Sequence, residues 1–226
     1  KVAGGRVFKQ TDRENSLIYL MKSNLLKRLE SSVYSFTLTL ESILHNINLH
    51  IDKIEKYDSS FDIEHDIMDM DVEDPELADA LIGSKIKILP KDVDLIRWKQ
   101  DLLFDKEILE KLLAQAKLIT PERDKKLKKL KSIIEQKIQN PINPNNKKIL
   151  IFTAFADTAK YIYENLHKWL YDKHQLHSAL VTGSDNSKTT LKMKKVDFNN
   201  VLTNFSPISK DRDKVMPEMK EEIDIL

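Results

Sequence analysis

The sequence predicts an α/β fold: a parallel βαβαβ sheet preceded by a mostly α-helical region with one long helix. Three observations predict it. Ile149-Leu150-Ile151-Phe152 is an unbroken apolar run of strand-favouring type, and within a few residues it gives way to a helical period at Ala159, Ile162, Tyr163, Leu166 and Trp169. Two more short apolar stretches, 178–182 and 222–226, follow at the spacing of strands separated by helices. Upstream, Ile18, Met21, Leu25, Leu29, Val33, Phe36, Leu40, Ile43, Ile47, Ile51 and Ile54 recur at steps of three and four. Those steps average about 3.6 residues, one α-helical turn.

Residues 1–15 carry Gly4-Gly5 and mixed polar side chains and read as a loop or the remnant of a strand. From 16 to about 57 the periodicity specifies one long helix, or two nearly collinear ones. At about 1.5 Å per residue it would be about 60 Å long, enough to brace another part of a larger protein. A coiled-coil dimer is the alternative, though a 3.6 spacing suits a globular seam better than the 3.5 of a sustained heptad. The stretch 58–80 is acidic, is interrupted by Pro75, and reads as a linker or frayed helix. Helical spacing returns over 92–119. Thr120-Pro121-Glu122 then marks the start of a lysine-covered helix running to about Gln139, with Leu127, Leu130, Ile134 and Ile138 facing inward. Asn140-Pro141-Ile142-Asn143-Pro144 is a strong break, and the domain boundary is drawn there, between 1–146 and 147–226.

In the second region the unbroken apolar run predicts a strand covered on both faces, as in a parallel sheet flanked by helices. Asp157 and Thr158 stand where the cap of the next helix is expected. A second strand over 178–182 ends in a turn at Gly183-Ser184-Asp185. A helix marked by Leu191, Phe198, Val201, Leu202 and Phe205 follows, then a polar loop and a third strand over 222–226. A terminal strand with no helix after it leaves one sheet face bare, which is the expectation for a piece of a longer protein.

Composition excludes several chemistries. With 41% hydrophobic residues the chain can build a core, and no cysteine is present for a disulfide, a thiolate metal site or a cysteine nucleophile. No apolar run approaches the roughly 20 residues of a membrane span, and the first ten residues lack the apolar centre of a signal peptide, so the expected location is cytoplasmic. The net charge of +1 conceals segregation, since every charged residue from Asp62 to Asp79 is acidic whereas 123–148 is dominated by lysine. The acidic tract lacks the glycine and ligand spacing of a calcium loop. His167, His174 and His177 match no established metal spacing, so no metal site is expected. With four glycines in all, the chain contains no complete phosphate-cradling loop.

Three features retain a functional reading. The backbone of the Gly183-Ser184-Asp185 turn, at a strand's carboxyl end, is suited to meeting a phosphate; a plain connecting turn accounts for it equally. Lys125, Lys126, Lys128, Lys129 and Lys131 suit tracking of a nucleic-acid backbone, or simply solubility. Lys27, Arg28, Glu30, Ser31 and Ser32 put two cations, a carboxylate and two hydroxyls within two helical turns, read first as an interdomain docking surface and second as a phosphate contact.

At these residues the sequence resembles the Swi/Snf-like branch of the superfamily 2 helicases, and more closely the bacterial subgroup related to the RNA-polymerase-recycling ATPase. Arg13-Glu14, then Leu25 to Val33 with Phe36, resembles the segment that precedes the second motor lobe. Lys148 to Phe155 with Asp157-Thr158 resembles helicase motif IV, Val181-Thr182-Gly183 the following strand and turn, and Phe205-Ser206-Pro207 with 222–226 the approach to motif V. Residues 58–140 match only as a variable helical insertion.

The resemblance implies a partial RecA-like sheet from the start of the second motor lobe of an ATP-dependent DNA helicase or translocase, a nucleotide hydrolase that walks on double-stranded DNA. By the same resemblance Thr153, Ala154, Phe155, Thr182, Gly183 and Ser184 contact strand phosphates without reading sequence. The first RecA-like lobe of the parent protein is the implied partner, with ATP and magnesium as the parent's cofactors and the bacterial nucleoid as its setting. The phosphate-binding lysine, the magnesium-binding acidic motif and the arginine finger have no match here, so this chain alone is expected to bind no cofactor and hydrolyse nothing. A non-enzymatic module whose long helix binds a protein partner is the alternative.

Overall fold

A computed structural model describes residues 10–56, 63–65, 86–88, 94–144, 146–183 and 186–226. The architecture is mixed α/β and mostly helical, and it divides into two compact units, Lys1–Leu118 and Ile119–Leu226.

The first unit contains α1 (Gln10–Ser31), α2 (Val33–Glu55), β1 (Ile63–His65), β2 (Ile86–Ile88) and α3 (Leu95–Lys117). Of the two expectations for 16–57, one long helix or two nearly collinear ones, the chain forms two helices, parted at Ser32, which is extended (φ −156°, ψ 148°) and caps α2 by accepting a 3.0 Å hydrogen bond from the Ser35 amide. A serine hydroxyl competes with helical backbone pairing wherever it can reach the amide three residues on, and here that local bond interrupts an apolar period that runs through unbroken. Helices α2 and α3 lie antiparallel: Glu55 at the end of α2 pairs with Lys99 near the start of α3 (2.8 Å), and Glu41 pairs with Lys117 at its end (2.6 Å). Phe36, Leu40 and Ala116 form the buried seam, with Leu25, Val33, Leu109 and Leu113 packed against it. Part of the acidic stretch read as a linker is a strand, since β1 pairs antiparallel with β2, Ile63 opposite Ile88. The rest of 58–80 lies outside the described residues, as do 1–9.

The second unit contains α4 (Lys125–Gln139), α5 (Ala156–His174), β3 (His177–Leu180), β4 (Lys188–Thr189), α6 (Phe198–Phe205), α7 (Arg212–Val215) and β5 (Ile223–Ile225). Helix α4 starts four residues later than its proline suggested, at Lys125 instead of Pro121. Thr120–Arg123 is a turn, and Asp124 is the cap, its Oδ1 accepting from the amides of Lys126 (2.8 Å) and Leu127 (3.1 Å). This helix also moves the boundary. The sequence places it with the helical region, but its Leu127 and Ile134 join Tyr161, Leu166 and Leu170 of α5 and Ile225 of β5 in one buried cluster, so the compact unit begins at Ile119 and not at 147. Burying each such aliphatic side chain stabilises by about 2 kcal/mol.

The sheet runs in the order 149-segment, β5, β3, β4. The segment around Ile149 pairs parallel with β5, the Ile149 amide donating to the Asp224 carbonyl (2.8 Å) and that of Ile151 to Leu226 (2.7 Å). Strand β3 is parallel to β5 on its other side, with a register irregularity between His177 and Ser178. Strand β4, which no sequence pattern announced, is antiparallel to β3. The expectation of a strand covered on both faces fails for the 149-segment: Leu150 is 48% and Phe152 85% exposed, whereas Ile149 and Ile151 pack into the core. Alternation of this kind marks one covered face and one open one. The open side belongs to an apolar groove of about 460 Å³, lined by Leu150, Phe152, Leu180, Phe198, Leu202 and Phe205 among others. Helix α5 begins with Phe155 as its cap and no side-chain cap bond, so Asp157 and Thr158 fall inside its first turn. It ends at Gln175 in the left-handed conformation (φ 55°), two residues before β3. Residues 191–197 are not helical; Asp197 caps the shorter α6 through the Asn200 amide.

Candidate nucleic-acid interface

Because the 149-segment, β5 and β3 are parallel, their carboxyl ends share one edge of the sheet. The turn Thr153-Ala154-Phe155 leaves the first segment there, and Thr182-Gly183 leaves β3, with β5 between them. Adjacent strands are about 4.8 Å apart, so the two turns stand about 10 Å from each other across the edge. In open α/β sheets this edge is where ligands bind.

Five of the six predicted residues can be placed. Thr153 is half-buried and its hydroxyl donates to the Phe155 carbonyl (2.8 Å), tightening the turn into α5. Phe155 is buried (5% exposed) as a packing residue, and Ala154 is exposed. Thr182 is half-buried and Gly183 exposed. A Cβ on Gly183 would meet nothing within 4 Å and its φ is not left-handed, so neither crowding nor backbone geometry demands glycine at this position. Ser184 lies outside the described residues.

The 27–32 cluster belongs to the first unit and is not a uniform surface. Arg28 is buried at 2% exposure, its Nε donating to Asn24 Oδ1 (3.2 Å) and a terminal nitrogen to Ser35 Oγ (3.3 Å). Ser32 is buried as the α2 cap. Those two hold the α1–α2 joint together, while Lys27 and Glu30 are exposed and Ser31 is half-buried. The structure therefore separates a group that the sequence read as one docking patch.

The histidines engage neighbouring side chains, and His177, which the sequence reads as a partly exposed helix or loop residue, is buried in β3. His167 stacks on Tyr163 (5.0 Å between centroids), His174 meets Trp169 edge-on (5.1 Å), and His177 contacts Thr190 Oγ1 (3.2 Å). No group of three or more metal-ligating side chains exists among the described residues.

Helix α4 supplies what sequence reasoning missed. Three contacts align it with α5: Tyr161 Oη donates to Asp124 Oδ2 (3.0 Å), the Lys131 ammonium sits over the Trp169 ring (5.5 Å), and Lys173 pairs with Glu135. Positions 124, 131 and 135 thus meet 161, 169 and 173 in the same order, so the two helices run parallel. Burial, together with the Asp124 carboxylate, pushes the Tyr161 phenol well above its usual range and keeps it a neutral donor. Tyr161 lies five residues beyond the first residue of α5, about 8 Å along its axis. The amino end of α4, with Lys125, Lys126, Lys128 and Lys129, therefore stands at the same end of the unit as the strands' carboxyl edge. The signal was present in the sequence: an aspartate immediately before Lys-Lys-Leu is a cap signature, but Pro121 drew the start upstream.

The opposite edge has another character. Lys148 donates to the Ile223 carbonyl (2.7 Å), pairs with Glu222 (2.7 Å) and lies over the Phe205 ring (5.7 Å). Buried Arg212 donates to the Glu221 carbonyl (2.9 Å) and approaches Glu222 (3.6 Å). Asp224 accepts from the His177 amide (3.2 Å), and burial raises its pKa above the ordinary aspartate value. These bonds tie together the starts of the three parallel segments.

Comparison with protein-family models, with curated proteins and with solved structures finds no match for this chain. No helix among the described residues is long and apolar enough to cross a membrane.

Proposed function

We propose that this chain supplies the helical region and the DNA-facing start of the second RecA-like lobe of an ATP-dependent, Swi/Snf-like DNA helicase or translocase. One observation carries the reading: the parallel pairing of the 149-segment with β5, which sets the turns 153–155 and 182–183 on one edge with a single strand between them. A row of small and polar residues there suits approach of a phosphate backbone, which is contacted without sequence preference. ATP and magnesium would be held by parts of the parent protein that this sequence does not match, and closure of the first lobe against this edge would couple hydrolysis to movement on the duplex. Chain and parent then differ in a testable way. The parent should show ATPase activity stimulated by duplex DNA, and the chain alone none. Absence of DNA stimulation in the parent removes the motor reading.

A second reading, a protein-interaction module, is favoured by the apolar side chains that α3 exposes: Ile96 (75%), Phe104 (64%), Ile108 (49%) and Leu112 (42%). Tight binding of a protein partner by a chain with no DNA affinity would select it.

A further inference from the structure

The turns assigned to DNA contact carry no cation, so the charge that a phosphate backbone requires has to come from elsewhere on that edge. We infer that the amino-terminal lysines of α4 (Lys125, Lys128 and Lys129, with Lys126 beside them) form the cationic half of the nucleic-acid surface, held in place by the Tyr161–Asp124 hydrogen bond.

Two independent observations support the assignment. The first is placement: that hydrogen bond, with the parallel run of α4 along α5, brings these lysines to the end of the unit where Thr153–Phe155 and Thr182-Gly183 emerge. The second is the pairing pattern. Several lysines elsewhere reach carboxylates, Lys99, Lys117, Lys148, Lys173 and Lys188 each having one within 3 Å, while others such as Lys168, Lys194 and Lys210 have none among the described residues. Lys125, Lys128 and Lys129 are exposed and have no carboxylate within ion-pair distance among the described residues. Instead they stand next to one another at helical spacing, 125 with 128 and 129, 126 with 129, and 128 with 131, which destabilises a helix. None of the nearby described carboxylates forms an ion pair with Lys125, Lys128 or Lys129. Asp124 is buried and engaged by the cap and by Tyr161, and Glu122 is held below its usual pKa first by Thr120, with Lys131 and Lys128 contributing at longer range. Asp157 and Asp197 also belong to this end of the unit, but Asp197 is tied to the Asn200 amide and to Lys195. A cluster of like charges kept at a local cost is where a fold departs from its own stability rules for an outside partner. Ammonium groups on flexible stems suit a phosphate backbone as point charges and carry no base specificity.

The inference deepens the reading above and rests on residues separate from it. The test is fluorescence anisotropy of the full 226-residue chain with a labelled mixed-sequence duplex of about 20 base pairs, between about 50 and 200 mM salt. Lys125→Glu/Lys128→Glu/Lys129→Glu should make the slope of log K against log salt shallower by about 2 to 3 and weaken binding at least about tenfold at 0.1 M salt. The same variant should melt no lower than the parent sequence, because like-charge contacts are removed. A variant that loses binding by unfolding is thereby recognised, and Lys→Gln at the three positions supplies a milder version. An unchanged slope in a folded variant overturns the inference. If Thr153→Asp and Gly183→Asp weaken binding while the lysine variants do not, the edge reading stands and this inference falls. If the lysine variants flatten the slope while the parent shows no DNA-stimulated ATPase, the inference survives and the motor reading falls.

Discussion

The two edges of the small parallel sheet are built in opposite ways. At the amino edge the half-buried and buried charges have protein partners: Lys148 with Glu222 and a backbone carbonyl, Arg212 with Glu221 and Glu222, Asp224 with the His177 amide. At the carboxyl edge Thr153-Ala154-Phe155 and Thr182-Gly183 carry no charge, and three of the lysines at that end of the unit have no ion pair among the described residues. The first edge is a clamp that closes the fold. The second is unfinished in electrostatic terms, and the contrast separates what holds the unit together from what it presents outward.

The contrast breaks most visibly at Arg212. Arg212→Ala would leave the Glu221 carbonyl without its charged donor, Glu222 keeping Lys148, and should cost about 2 kcal/mol in urea unfolding, with DNA affinity per folded molecule unchanged. A loss of affinity without a loss of stability would mean that this edge is not merely a clamp. Tyr161→Phe comes next. It strands a buried carboxylate oxygen of Asp124, and about 1 to 2 kcal/mol of destabilisation is expected, with a modest weakening of DNA binding as the end of α4 loosens. Gly183→Ala should do the reverse: since a Cβ there meets open space, a gain of about 0.5 kcal/mol from the stiffer unfolded chain is expected in thermal melting. A large loss instead would show that the turn needs glycine after all.

The smallest effect concerns pH. The folded-state pKa of Asp224 is raised by burial, so between the ordinary aspartate pKa and the raised one the native state binds more protons than the unfolded chain. Stability contributed by this group therefore falls as pH rises through that window, and above it the buried carboxylate is a net liability. Asp224→Asn, which still accepts from the His177 amide, should raise Tm slightly at pH 7 and give no gain near pH 3. An equal gain at both values would rule out titration of Asp224 as the cause.

How much of this was legible in the sequence depends on which force decided each element. The 149-segment, β3, β5 and α5 follow from apolar runs and periods, because burial decided them. The position of the break at Ser32 did not follow, because the apolar period passes straight through it and a single hydroxyl bond decides the geometry. Asn140-Pro141 reads correctly as a turn and misleads as a boundary. Turn residues record that the chain changes direction; which core the preceding helix joins is settled by Leu127 and Ile134 meeting residues thirty or more positions away. The bare face of Phe152 was hidden because a continuous apolar run looks alike whether both sides are covered or one is open. At the candidate site the small turn residues were found by resemblance. The lysines were seen but could not be placed, since their position depends on the long-range bond between Tyr161 and Asp124.

The parallel course of α4 and α5 has one more consequence. Each helix carries roughly half a positive charge at its amino end from the alignment of its peptide dipoles, and a parallel pair puts both ends side by side where an antiparallel pair would cancel them. Asp157 in the first turn of α5 and the Asp124 cap of α4 offset part of this, while the first turn of α4 itself adds lysines. Backbone and side chains thus reinforce one another in a single local field, which an anion from outside the unit would relax further.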